Sequence, residues 1–196
     1  APGPFQPPPQ SGIGTDENGM GSAIADFNGD GLLDWFVTSI YDETDPCDEL
    51  QCNWDSSGNR LYLNNGDRTF TDVTDAAGVR EGGWGWGTTF FDYDNDGDQD
   101  LVMTNGMFSS SPLADRFLND PMRLWRNEGD GTFTVVSQLD GLPPPRSGNG
   151  LLPFDYDLAG HLALFVSTNA DTPVLYRHDS DNGNAFLRVK TEGTQS

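Results

Sequence analysis

The chain has 196 residues, enough for one sizeable core or a row of small repeats. Its 31 acidic residues against 10 basic ones give a net charge of −21 and a pI near 4.1, which argues against binding a phosphate backbone, since nucleic acids reward Lys and Arg. No apolar stretch approaches the roughly 20 residues that a membrane-spanning helix needs.

Residues 1–18 are rich in Pro, Gly and polar groups and read as an extended arm or linker, with Ala1-Pro-Gly-Pro4 suggesting a processed or truncated start. Gly19-Met-Gly21 then opens a unit of four short strands: Ser22–Ala25, Leu33–Thr38, Arg60–Leu63 and Thr69–Val73. The second and third strands are separated by an acidic insertion at 40–58. Its carboxylates Asp42, Glu43, Asp45, Asp48 and Glu49 read as a solvated surface, with a weak extra ion site as the alternative. Cys47 and Cys52 lie in that insertion. A small disulfide clip is the favoured reading, which suits an oxidising compartment; a zinc site would need more Cys or His nearby.

The unit then repeats. Thr88–Phe91, Leu101–Thr104, Arg123–Arg126 and Thr132–Val136 form a second set, with an insertion at 106–121 in which Pro112–Phe117 has room for one helical turn. Leu151–Phe154, Leu162–Ser167, Val174–Arg177 and Ala185–Val189 form a third. Asn64-Asn-Gly-Asp67 and Asn127-Glu-Gly-Asp-Gly131 are hairpin turn signals between third and fourth strands. A Gly-x-Gly pair precedes the loop of each unit, ending at Gly21, Gly87 and Gly150, and suits a crowded inner strand. Asp26 to Asp92 is 66 positions and Asp92 to Asp155 is 63, and this fixed period with four strands per unit predicts all-β propeller blades at about 19–75, 83–138 and 147–190.

The chemistry lies between the first and second strands. Asp92-Tyr-Asp-Asn-Asp-Gly-Asp-Gln-Asp100 places carboxylates at positions one, three, five and nine, Asp92, Asp94, Asp96 and Asp100, with the Asp98 carbonyl at position seven and Gly97 for the bend. Carboxylates about 4 Å apart repel by about 4 kcal/mol per pair at an effective dielectric near 20, so such a turn calls for a cation. An all-oxygen donor set without Cys or His points to Ca²⁺ first and Mg²⁺ second. The spacing mimics an EF-hand, but position twelve is Met103 instead of a bidentate Glu, and the flanks are strand-like. Asp26, Asn28, Asp30 and Asp34, with the Leu32 carbonyl, repeat the pattern, giving two expected calcium sites. Asp155 and Asp157 with Gly160 keep a third turn, but Ala159 and Ala163 replace two ligands, so it reads as a degenerate loop.

These loops resemble the FG-GAP and VCBS-type repeats of integrin α-subunit propellers. More narrowly, Thr69-Phe-Thr-Asp-Val-Thr-Asp-Ala-Ala-Gly-Val79, Gly85-Trp-Gly87 and the loop at 92–100 look like the cartilage acidic protein 1 family and its bacterial relatives. There the last blade leads into an ASPIC-type domain through a segment similar to residues 184–193, which would make 194–196 the start of a following segment. The resemblance implies the same ten calcium ligands and a secreted or cell-surface setting. Since propellers close with four to eight blades, three imply a piece of a longer protein or completion by other chains.

No nucleophile elbow, phosphate-cradling glycine loop or Cys–His pair appears, and His161 and His178 read as surface residues. The expectation is a non-enzymatic, calcium-stabilised scaffold, extracellular or periplasmic, meeting a protein partner or the remaining blades, with no nucleic acid and no membrane span. The rivals are a carbohydrate-binding propeller using Trp84 and Trp86, the non-catalytic part of a larger enzyme, and a subunit of a large assembly.

Overall fold

Short strands alternating with Gly- and Asn-rich turns fold as three successive antiparallel sheets. The computed structural model describes residues 11–13, 18–42, 56–107, 117–118, 120–136, 148–169, 171–177, 182–187 and 189. Cys47, Cys52, His178, most of the acidic insertion, and residues 112–116 lie outside them, as does most of the N-terminal arm. The first sheet is β1 (Ser22–Ala25), β2 (Asp34–Val37), β3 (Arg60–Asn64) and β4 (Phe70–Asp72), in that spatial order. The second is β5 (Gly85–Phe91), β6 (Asp100–Asn105), β7 (Arg123–Asn127) and β8 (Phe133–Val135).

The third sheet, β9 (Gly148–Phe154), β10 (Ala163–Thr168) and β11 (Val174–Tyr176), has three strands where four are expected. Residues 185–187 do not pair; instead the ring of Phe186 covers Gly160 so closely that an added Cβ would sit 2.0 Å from Cδ1. A one-turn helix α1 (Thr74–Ala77), unforeseen in the sequence, follows β4 and ends at Gly78, whose φ is +76°. Among the described residues no helix is long and apolar enough to cross a membrane.

Side-chain alternation explains why the middle sheet reads as continuously apolar. All of β6 is buried: Leu101 and Met103 pack against the first sheet with Phe36 and Leu61, while Val102 packs against the third with Leu164 and Val166. Full burial of each large apolar side chain contributes about 1.5–3 kcal/mol. The inner strands are in backbone contact, as the glycines imply. A Cβ on Gly21 would lie 2.0 Å from the Trp86 carbonyl oxygen, and one on Gly87 2.7 Å from that of Asn149.

A hydroxyl recurs at or just past the end of each second strand, four residues after the strand's first residue. The Gly21 amide donates to Thr38 Oγ1 (2.7 Å), Thr104 Oγ1 donates to the Gly87 carbonyl (3.2 Å), and the Gly150 amide donates to Ser167 Oγ (3.0 Å). Thr38 Oγ1 also donates to the Trp86 carbonyl at 2.7 Å, tying the first sheet to the second.

Candidate metal centre

Strand register places each acidic loop as a hairpin connection. Ala25 pairs with Asp34, Phe91 with Asp100 and Phe154 with Ala163, so the ninth loop position is the first residue of the second strand every time. Position four takes a left-handed backbone in all three loops, at Gly29 (φ +73°), Asn95 (+58°) and Leu158 (+63°). So does position six, at Gly31 (+86°), Gly97 (+101°) and Gly160 (+90°). The first aspartate caps the turn by accepting the position-six amide: Gly31 to Asp26 (2.8 Å), Gly97 to Asp92 (3.1 Å) and Gly160 to Asp155 (3.0 Å).

In the second loop the turn gathers charge. Asp92, Asp94 and Asp100 each offer a carboxylate oxygen within 4.8 Å of the others, and among the described residues this is the one such group of three. Asp94 Oδ1 is shielded from water and accepts no hydrogen bond among the described residues. Burial, then the neighbouring Asp96 carboxylate, raises the Asp94 pKa. Asp100 is fully buried; Oδ2 accepts the Tyr93 amide (2.9 Å) and Oδ1 the Asn127 amide (2.8 Å). Desolvation outweighs these two bonds and pushes its carboxyl up to about 7. A buried carboxylate oxygen without a donor beside two further carboxylates fits a hard divalent cation, whose charge would reverse that penalty. Asp96 Oδ1 is engaged by the Asp98 amide at 2.9 Å, and neither Asp96 nor Asp98 joins the cluster through its carboxylate.

The first loop has the same frame with weaker electrostatics. Asp34 is fully buried and accepts the Asn64 amide (2.8 Å) and the Phe27 amide (3.4 Å); burial raises its pKa. Asn28 Nδ2 donates to Asp30 Oδ2 at 3.0 Å, so one ligand-position side chain neutralises the demand of the next. Asp26 and Asp30 carry no carboxylate grouping of the kind seen at 92–100. The Leu32 amide donates to Asp30 Oδ1 at 2.8 Å. In the third loop, buried Ala163 stands in place of Asp34 and Asp100, and the Ala159 amide donates to Asp157 Oδ1 at 3.1 Å.

The sequence reading missed the partners that hold position nine. Asn64 and Asn127 end β3 and β7, and each also closes its turn by accepting an amide at 3.0 Å, from Gly66 and from Gly129. Asn127 Nδ2 further donates to the Phe27 carbonyl (2.7 Å), linking the second sheet to the first loop. The identical position of the two asparagines in their turn signals was the available clue. Trp84 is buried against Phe117, and Trp86 Nε1 donates to the Gly106 carbonyl (2.7 Å), so both indoles pack in a small cluster with Ile40.

Three antiparallel sheets with an acidic hairpin between their first and second strands are the layout of propeller blades. Residues 50–103, from ahead of β3 through the second acidic loop, match the family model described as FG-GAP-like repeat, and over that stretch the chain is similar to those repeats. No curated protein matches the chain.

Proposed function

We propose that this protein is a calcium-stabilised propeller module of the FG-GAP kind, working as a non-enzymatic scaffold outside the cytosol. The observation that carries the reading is the carboxylate of Asp94, which has a shielded Oδ1 without a donor and lies within 4.8 Å of those of Asp92 and Asp100. Ca²⁺ at the second loop would take the side chains of Asp92, Asp94, Asp96 and Asp100 and the Asp98 carbonyl. The first loop is the second site, through Asp26, Asn28, Asp30, Asp34 and the Leu32 carbonyl, and the shared turn geometry supports it. The third loop binds no ion. Each ion neutralises its hairpin and pins the first strand of a blade to the second.

Loops of this kind in extracellular modules fill at roughly 0.1–1 mM calcium, which favours a secreted or periplasmic setting. The partner is a protein surface or further blades. The narrower kinship with cartilage acidic protein 1 rests on the match at 69–79, 85–87 and 92–100. Calorimetry tests the metal. Calcium at about 100 times the dissociation constant contributes about 2.7 kcal/mol per site, so chelating both sites lowers Tm by roughly 10–20 °C. An unchanged Tm after removal of divalent ions refutes the structural-metal reading.

A further inference from the structure

Residues 182–187, past the third sheet, lie on two acidic loops instead of in a strand. Asn182 Nδ2 and Asn184 Nδ2 (3.1 Å) both donate to the Asp94 carbonyl, giving one oxygen at position three of the second loop two donors. The Asn184 amide donates to Asn182 Oδ1 at 3.0 Å, which sets the two carboxamides side by side. Two residues on, the Phe186 ring lies against Gly160 in the third loop. At Gly31 and Gly97, the same position of the other two loops, an added Cβ would meet nothing within 4 Å. Asn95, next to Asp94, brings Nδ2 to 3.3 Å from His161 Nδ1 of the third loop.

The first loop has a brace of the same chemistry from another source. Asn127 at the end of β7 donates Nδ2 to the Phe27 carbonyl, position two of that loop, at 2.7 Å. Tyr176 pairs with Leu164 as Trp125 pairs with Leu101, so by count the third unit has His178 in the place of Asn127. No carboxamide stands at that place in the sequence, and Asn182 and Asn184 supply two. We propose that Asn182 and Asn184 are positioning residues for the cation at 92–100, and that 182–187 is a calcium-linked brace. The inference rests on the calcium reading of the second loop. Three carboxylates within 4.8 Å of one another repel until an ion neutralises them, so without the ion the Asp94 peptide is pushed from the geometry its two donors need. The ion closes the loop, the closed loop presents the Asp94 carbonyl, and the segment docks with Phe186 on Gly160. The coupling is reciprocal: the factor that the docked segment adds to calcium affinity is the factor that calcium adds to docking. The degenerate third loop thereby serves the second one as a landing site.

Hydrogen exchange of the full 196-residue chain, read by mass spectrometry, follows residues 182–187 in calcium and after chelation. Calcium is expected to slow exchange there by about 3–10-fold in wild type. In Asp94→Asn, which keeps the carbonyl and the first site but loses the ion beside them, calcium is expected to leave that exchange unchanged. Asn182 and Asn184 are exposed, so the double variant Asn182→Ala/Asn184→Ala keeps the fold, checked by circular dichroism. Its calorimetric titration is expected to show two equivalents of calcium, one at wild-type affinity and one weakened by about 3–10-fold. Exchange in 182–187 that ignores calcium in wild type, or two wild-type affinities in the double variant, overturns the brace and leaves the calcium reading standing. Slowing that survives in Asp94→Asn also overturns the brace. A wild type that binds no calcium overturns both.

Discussion

The second and third acidic loops trace the same turn and differ in what fills it. Both take left-handed backbone at positions four and six, and in both the first aspartate accepts the position-six amide. At 92–100 the interior is lined by Asp92, Asp94 and Asp100. At 155–163 the ninth position is a buried Ala163, and the ring of Phe186 lies over Gly160. Turn geometry and ion binding are thus separable: the Asp–Gly cap shapes the hairpin, while the inward carboxylates create the demand for charge. The third hairpin keeps the strand connection and sheds the electrostatic penalty.

That contrast can be broken most strongly at position nine. Asp100→Ala removes two buried hydrogen bonds to Tyr93 and Asn127 and a ligand of the cluster, and leaves two amides without acceptors. The expected loss is about 3–4 kcal/mol in calcium, read by urea unfolding. If Asp100→Ala instead unfolds at the wild-type midpoint, the bonds from Tyr93 and Asn127 to position nine do not hold the hairpin.

Thr38→Val, away from any loop, deletes the hydroxyl that accepts the Gly21 amide and donates to the Trp86 carbonyl. A loss of about 1–2 kcal/mol is expected, equal with and without calcium, which separates the blade tie from the ion. Leu158→Asn sharpens the comparison from the other side. Leu158 is a solvent-exposed residue in a left-handed backbone that Asn tolerates better, so a gain of about 0.5–1 kcal/mol is expected in thermal unfolding. The smallest effect belongs to Asp157→Asn: stability within about 0.5 kcal/mol of wild type and calcium stoichiometry unchanged. A lost ion in Asp157→Asn would show that the third loop is still a site.

Much of this frame was legible because its signals are local and periodic. The period of 63–66 residues located eleven strands to within a few positions, and the aspartates marked the three hairpins. What escaped is set by tertiary contact. Thr38, Thr104 and Ser167 read as ordinary strand ends, and their role as pins needs the neighbouring glycine backbone in place. The helix at 74–77 is too short to carry an apolar period. Ala185-Phe-Leu187 has strand-like composition, yet Phe186 finds its contact at Gly160, outside any sheet. Within the loops, the amide contacts that orient position five, from Asp98 to Asp96 Oδ1 and from Leu32 to Asp30 Oδ1, likewise need the folded turn.

A cation among Asp92, Asp94 and Asp100 gives off or takes up heat on binding, which is read by titrating calcium into the chelated protein in a calorimeter. Wild type is expected to bind two equivalents and Asp94→Asn one, with the remaining site undisturbed. No heat of binding in wild type, or two equivalents retained by Asp94→Asn at unchanged affinity, would contradict it.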